Sequence, residues 1–307
     1  MARVAHSIVL FASAVSTLPA LAQNSPLQQS ESEEPDFAFI SGSGYTQVKE
    51  SIQFIHQTAY GTRRFALPGG RRNKDEFLFF FRTEWGFTDR LELDVVAPVT
   101  GSRERLNGRT LSSDYGISDS ILGLRYRLLK EVNAPFTLTT GPQLILPSGR
   151  VRRGTGLGSA GFAWDVAASK DWRGPAFLYS TFNYRVLPSA DDTTPGSARQ
   201  FTLHGLAWAT ALGLRALERP RSGSKHDVHI FLEAGGAWEQ EIVPGVDVGT
   251  RQGKLSWVVS PGVRYGFFTA RKTLTEIGVA APIGLGANGP KKGFVVQFQF
   301  ENVFGQK

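Results

Sequence analysis

Cysteine is absent from this chain of 307 residues. That excludes disulfides, thiolate metal sites and cysteine nucleophiles, so the fold closes by other means. Runs of about 18 consecutive apolar residues are absent too, which excludes spanning helices. No Gly-x-Ser-x-Gly stretch marks a serine nucleophile. Histidine is scarce; past the first residues it occurs as His56, His204, His226 and His229. Metal ligation needs clustered donors, so His226 and His229 beside Asp227 read as incidental, and no metal or other cofactor is expected.

What is present is alternation. Roughly every twenty residues, about ten residues alternate apolar and polar and then turn, and about twelve such segments lie between Lys49 and Phe304. A bilayer tolerates only helices and closed barrels. The pattern therefore predicts an all-β fold, a single antiparallel transmembrane β-barrel of about twelve strands. A mean hydropathy of −0.16 fits strands in which every second residue meets lipid. Residues 1–22 read as a cleaved signal peptide, with Arg3, an apolar stretch from Ile8 to Val15, and small residues Ala20 and Ala22 before the cut. Residues 23–45 read as a disordered or plug-like N-terminal segment. Ser30-Glu31-Ser32-Glu33-Glu34-Pro35 cannot bury itself, whereas Phe37, Phe39 and Ile40 can tuck into a barrel mouth. Residues 46–307 read as the barrel.

The predicted strands are 49–60, 75–88, 90–100, 116–130, 136–146, 159–170, 176–187, 200–216, 227–240, 254–269, 272–282 and 293–304. The second and third form the clearest hairpin. Phe77, Phe79, Phe81, Trp85 and Phe87, then Leu91, Leu93, Val95 and Ala97, point one way; Glu76, Arg82, Glu84, Arg90, Glu92 and Asp94 point the other. In a barrel the charged side is the lumen. The same phase places Arg125, Arg127, Asp165, Arg185, Glu233, Glu239, Arg264, Glu276 and Glu301 inside. Two readings of this set stand side by side. Charged rings in a narrow pore select solutes by charge and size; or acids and bases pair across neighbouring strands and fill the interior. The phase of the eighth strand slips near His204, which predicts a bulge.

Link lengths alternate. Those around Asp89, Asn133, Gly174 and Ala270 are short; 61–74, 101–115, 147–158, 188–199, 241–253 and 284–292 are longer, as periplasmic and external connections should be. The link 217–226 is long where a short one is due. The long links are basic, with Arg63, Arg64, Arg71, Arg72 and Lys74 in the first, Arg103, Arg105 and Arg109 in the second, and Arg150, Arg152 and Arg153 in the third. They carry much of the net charge of +7. Three uses are open: attraction of anionic solutes, contact with outer-membrane lipid and lipopolysaccharide phosphates, or plain solvation. Nucleic acid is not an expected partner, since no recognition motif is present and the leader implies export.

Three stretches carry a resemblance. Gly116-Ile117-Ser118-Asp119, followed by Ser120-Ile121-Leu122-Gly123-Leu124-Arg125-Tyr126-Arg127-Leu128, is one. Leu146-Pro147-Ser148-Gly149 is the second, and Gly156-Leu157-Gly158-Ser159 the third. Together they resemble the outer-membrane "MetA-pathway of phenol degradation" family of transporters. The final strand also resembles the carboxy-terminal pattern read by the barrel-assembly machinery, ending in Phe304 with three residues beyond it. The family resemblance implies a barrel in a bacterial outer membrane that passes small, often aromatic or apolar, solutes. Other classes remain on the table: a non-conducting structural or surface-binding barrel, a lipid-modifying enzyme built on His56 or His204, and a soluble barrel with its phenylalanines inside. No enzyme is expected, because a lone strand histidine without a marked nucleophile is more often structural.

Overall fold

The computed structural model describes residues 40–47, 49–67, 70–172, 174–192, 198–217, 226–243, 250–268, 274–286 and 291–301. The predicted signal peptide, Phe37, Phe39, the link 218–225 and Phe304 lie outside the described residues.

The strands are β1 (Ile52–Leu67), β2 (Gly70–Thr88), β3 (Leu91–Leu106), β4 (Arg109–Ile117), β5 (Ser120–Leu129), β6 (Thr137–Leu146), β7 (Gly161–Asp171), β8 (Ala176–Asp191), β9 (Gln200–Leu217), β10 (His226–Val243), β11 (Thr250–Phe268), β12 (Leu274–Ala280), β13 (Ile283–Leu285) and β14 (Lys292–Glu301). Each pairs antiparallel with its neighbour, and β14 pairs with β1, from Phe54 opposite Phe300 to Thr62 opposite Lys292. The sheet therefore closes. β4 and β5 both pair with β3 and form one wall strand interrupted at Ser118–Asp119. β12 and β13 likewise share β11 across Ala281–Pro282. The fourteen segments thus build a closed twelve-stranded barrel.

Period-two geometry sorts the side chains as the sequence predicts. Phe54, Phe77, Phe81, Trp85, Phe87, Val95, Leu122, Leu124, Tyr126, Phe162, Trp164, Ile230, Trp257, Phe294, Phe298 and Phe300 are exposed on the wall. Gln53, Glu84, Glu92, Arg125, Glu233, Arg264, Gln297 and Gln299 are buried. That is the inverse of a soluble barrel, and a large apolar exterior is stable only in lipid. On β2 the outward run from Phe77 to Phe87 covers 10 residue steps, about 25 Å at the usual tilt, which is the height of an outer-membrane apolar band.

Two expected loops are strands. β1 runs on to Leu67 and β2 begins at Gly70; β3 runs on to Leu106 and β4 begins at Arg109. Above the membrane both faces of a hairpin are wet, so the alternation that marks a strand in sequence fades there. The slip expected in the strand of His204 is on its neighbour instead: β9 keeps one phase from Leu203 to Gly213, and the extra residue is on β8, between Leu187, opposite Leu203, and Ala190, opposite Phe201.

The interior also holds aromatics that alternation did not single out. Phe177, Tyr179 and Phe231 pack with Tyr45, Ala211, Ala280 and Val295. Their rings stack edge-on, Phe177 against Phe231 at 5.6 Å between centroids. Gly213 makes room for them, since a Cβ there would lie 2.1 Å from the Phe177 ring. Gly213→Leu is expected to overpack this layer and destabilise the barrel by about 1–3 kcal/mol. The midpoint of the heat-induced gel shift of the refolded protein reads it; an unchanged midpoint would mean that this layer is loosely packed.

Candidate functional site

At one barrel end β1 to β4 run on past the apolar belt, to Leu67, Gly70, Leu106 and Arg109; the links 88–91, 129–137 and 171–176 mark the other, the periplasmic one by the general rule for these folds. At that end the charged side chains of adjacent strands meet in one cluster. Arg82 on β2 chelates Asp94 on β3, Nε to Oδ1 at 2.8 Å and Nη2 to Oδ2 at 2.5 Å, and lies 2.7 Å from Glu84. Arg125 on β5, only 1 % exposed, holds Glu92 at 3.0 Å and stands 3.9 Å from Asp165 on β7. Cross-strand register explains the set: Glu84 lies opposite Asp94, and Glu92 opposite Arg125. Oxygens of Glu84, Glu92 and Asp94 lie within 4.8 Å of one another. Guanidinium groups already engage all three carboxylates, so this is a salt-bridge cluster rather than a cation site.

Across the barrel, Arg264 on β11 sits 3.2 Å from Glu276 and donates to His229 Nδ1 at 2.9 Å. His229 Nε2 lies 2.9 Å from Asp227. Glu301 accepts from Gln53 at 2.9 Å and from Gln299 at 2.6 Å. Nearer the outer end, Glu76 pairs with Arg63 and Lys74, both at 2.9 Å, and Arg185 with Glu239 at 2.8 Å. Arg127 is buried and donates to the Asp89 carbonyl. One expected interior residue is elsewhere. Arg90 is exposed in the β2–β3 turn, because Thr88 Oγ1 accepts the N–H groups of Arg90 and Leu91 at 3.2 and 3.0 Å and ends the strand phase there.

Residues 40–47 lie inside the barrel. They cross it from β1, β2 and β3 to β10. Gln47 N–H donates to Glu92 Oε2 at 2.5 Å, and the Gln47 amide donates to Gln53 and to Glu84. Ser43 O accepts from Arg125, and Gly44 O from Thr139 on β6. Gly44 N–H reaches Ser169 Oγ on β7 at 2.6 Å. Ile40 and Ser41 N–H groups reach Glu233 Oε1 on β10 at 3.0 and 3.4 Å. Gly44 is required by closeness: a Cβ would lie 2.9 Å from Ser169 N and Thr137 O. Ser41, Ser43, Tyr45, Thr46 and Gln47 are all buried. The N–H groups of Ile40, Ser41, Gly44 and Gln47 and the carbonyls of Ser43 and Gly44 are thus met by side chains of the wall, and the Tyr45 N–H by Ser43 Oγ.

The outer end has its own construction, and the three resembling stretches build it. Asp119, at the break between β4 and β5, accepts the Gly149 N–H at 3.0 Å and the Leu157 N–H at 3.1 Å. Ser148 Oγ donates to Ser118 O at 2.7 Å and accepts from Ser120 N–H at 2.9 Å. Gly149 and Gly156 touch, since a Cβ on the first would lie 2.6 Å from the Cα of the second. Leu157 then packs on an apolar inner layer of Ile145, Ala163, Leu187, Ala190 and Leu203. Asp119→Ala is expected to free the 147–158 loop. Trypsin added to intact cells should then cleave at Arg150, Arg152 or Arg153 at least several-fold faster; equal cleavage of both proteins would show that the carboxylate does not hold the loop.

The remaining candidates are placed plainly. His56 faces lipid among Phe79, Phe81 and Phe298, its Nδ1–H donating to Phe80 O at 3.2 Å and its Nε2 accepting from Thr58 at 3.2 Å. His204 bonds the Tyr184 hydroxyl at 2.8 Å on the wall. His226 bonds the Tyr265 hydroxyl at 2.6 Å and is exposed, while His229 is buried, so the two face opposite sides.

A closed antiparallel barrel with an apolar exterior and a charged, hydrogen-bonded interior defines an outer-membrane β-barrel protein. Residues 38–214 match the family described as "Putative MetA-pathway of phenol degradation". That is more than half of the chain, and the chain belongs to this family. Among solved structures it is similar to an outer membrane channel from Pseudomonas putida, with 15 % identity, 88 % of this chain and 99 % of that one covered, and a TM-score of 0.57. The translocator domain of the autotransporter NalP from Neisseria meningitidis covers 84 % of this chain and 90 % of its own at 12 % identity, with a TM-score of 0.49. No curated protein sequence matches the chain.

Proposed function

We propose that this protein is an outer-membrane channel for small apolar or aromatic solutes, held shut by its own residues 40–47. The observation that carries the reading is that segment, lying across a closed barrel and fastened by separate hydrogen bonds to β3, β5, β6, β7 and β10. Each bond can be exchanged for one to water, so the segment is removable without breaking the wall. The solute class is supported by the family description and by the two apolar inner layers, one aromatic. In this reading Glu76, Arg82, Glu84, Glu92, Asp94, Arg125, Arg127, Asp165, Arg185, Glu233, Glu239, Arg264, Glu276 and Glu301 line the passage once the segment leaves. The leader of residues 1–22 directs export, and the assembly machinery inserts the barrel. Passage rather than catalysis fits histidines engaged by Phe80 O, Thr58, Tyr184, Tyr265 and Asp227.

The test is transport. Proteoliposomes bearing the protein without residues 23–47 should admit small aromatic carboxylates, which cross bare lipid slowly, faster than those bearing the full-length protein, and in the opened barrel Arg82→Glu should shift ion selectivity toward cations. Unchanged selectivity with measurable conductance would remove the charged cluster from the passage. The packed interior favours one rival, a barrel that never conducts; no permeation by any variant would support it.

A further inference from the structure

The outer wall above the apolar belt carries a charged cleft. The belt ends at Tyr60 on β1, Phe77 on β2, Val99 on β3 and Phe294 on β14, which stand in register: Tyr60 lies opposite both Phe77 and Phe294, and Phe79, two residues on, lies opposite Val99. Outward on these strands, Asp75, Arg103 and Lys292 stand one row beyond Tyr60 and Phe77, and Arg64 and Arg105 two rows beyond. A cleft of about 440 Å³ opens there, lined by Tyr60, Phe77 and Tyr115, by Arg103 and Arg105, and by the acids Asp75, Glu76 and Asp114, with Glu76 taken up by Arg63 and Lys74 and with Arg64 and Lys292 on the wall outside it. Asp75 is already engaged: Arg105 pairs with it and the Tyr60 hydroxyl donates to it at 3.0 Å. Arg64, Arg103 and Lys292 are exposed and have no ion-pair partner among the described residues. Gly101 brings the β4 backbone close, its virtual Cβ lying 3.2 Å from Tyr115 Cβ. Tyr115 is left 73 % exposed beside exposed Ile117 and Leu111.

We propose that this face binds a phosphorylated glycolipid of the outer leaflet. Its position decides the occupant. A surface arginine in bulk water needs no partner, but Arg103 and Lys292 stand one outward row above the end of the belt and Arg64 two rows above it, where lipid phosphates lie. The apolar shelf of Phe77, Tyr115 and Ile117 suits acyl chains, and Tyr60 packs against Phe294, tilted, at 5.5 Å between centroids. Guanidinium groups match phosphate oxygens two at a time, and Arg105, tied to Asp75, prearranges one side of the cleft. Charge and grease on one face, facing outward, fit a lipid with phosphate on a sugar and several chains better than a soluble anion.

Lipid exchange into detergent-solubilised protein tests this. Bisphosphorylated lipid A is titrated against the wild type and against R64Q/R103Q/K292Q, with native mass spectrometry reading bound lipid. The wild type should retain it, and each lost charge should weaken retention by about fivefold. Dephosphorylated lipid A and phosphatidylglycerol should bind the wild type no better than the variant binds lipid A, and inorganic phosphate alone should not bind. Equal retention by wild type and variant would overturn the proposal. The wild-type arms stand without the variant: if dephosphorylated lipid A or phosphatidylglycerol binds as well as lipid A, or free phosphate competes fully, the glycolipid is not the ligand. Conductance is a separate readout, because these side chains face away from the interior.

Discussion

Removing residues 23–47 from the mature chain should turn a closed barrel into a conducting one. Planar bilayers with the full-length protein are expected to show rare, brief openings, and those with the truncated protein long-lived single-channel currents. The physical ground is the geometry of twelve strands: eight-stranded barrels can be filled by their own side chains, whereas sixteen leave an aqueous channel. At twelve, the inner segment supplies the missing volume near the periplasmic end. Its loss leaves Glu92, Glu233 and Arg125 without the backbone partners they now hold. Water must then enter to solvate them, because unsatisfied buried charge is too costly to leave dry. Gly44→Leu should act in the same direction at smaller scale, since a side chain cannot fit against Thr137 and Ser169. Silence from both variants, with the barrel shown folded by its gel shift, would mean that Phe177, Tyr179, Phe231 and the salt-bridge cluster block the barrel by themselves.

Arg125→Leu should cost the barrel about 3–5 kcal/mol, the usual loss when one partner of a buried ion pair is removed. Arg125 is the hub: it holds Glu92, neighbours Asp165 and fastens Ser43. Without it Glu84, Glu92, Asp94 and Asp165 share one remaining guanidinium close by, that of Arg82. Denaturant unfolding from lipid vesicles measures the loss. The double substitution Arg125→Leu with Glu92→Leu should recover part of it, because the Glu92 charge goes with its partner while Asp165, Ser43 O and the Gln47 N–H still lose theirs. If Arg125→Leu unfolds at the wild-type midpoint, the cluster is water-filled and serves the passage alone. Both truncation and Arg125→Leu touch the same contact at Ser43, so Arg125→Leu should also raise the opening frequency of the full-length protein.

Much of this was readable in advance, and particular residues show why. Phe77 to Phe87 alternate with Arg82 and Glu84, which sorts the two faces; the exposure of Phe77, Phe81, Trp85 and Phe87 then rules out the soluble barrel with its phenylalanines inside. Arg90 was misplaced because alternation does not mark where a turn takes the chain over, and Thr88 Oγ1 made that decision. Phe177, Tyr179 and Phe231 hid because an aromatic among inward polar residues looks like noise in a period-two pattern. Gly61–Leu67 and Gly101–Leu106 read as loops because hairpins above the membrane need no apolar face. The stretches around Asp119, Gly149 and Leu157 were visible as a resemblance, but not as one carboxylate gripping two backbone N–H groups.

The chain by itself determined an antiparallel wall and which residues of each strand share a face, because alternation is a local property repeated at every second residue. Only the tertiary structure decided what occupies the interior. Ile40 meets Glu233 across 193 positions of sequence, and no local period reports a contact of that span.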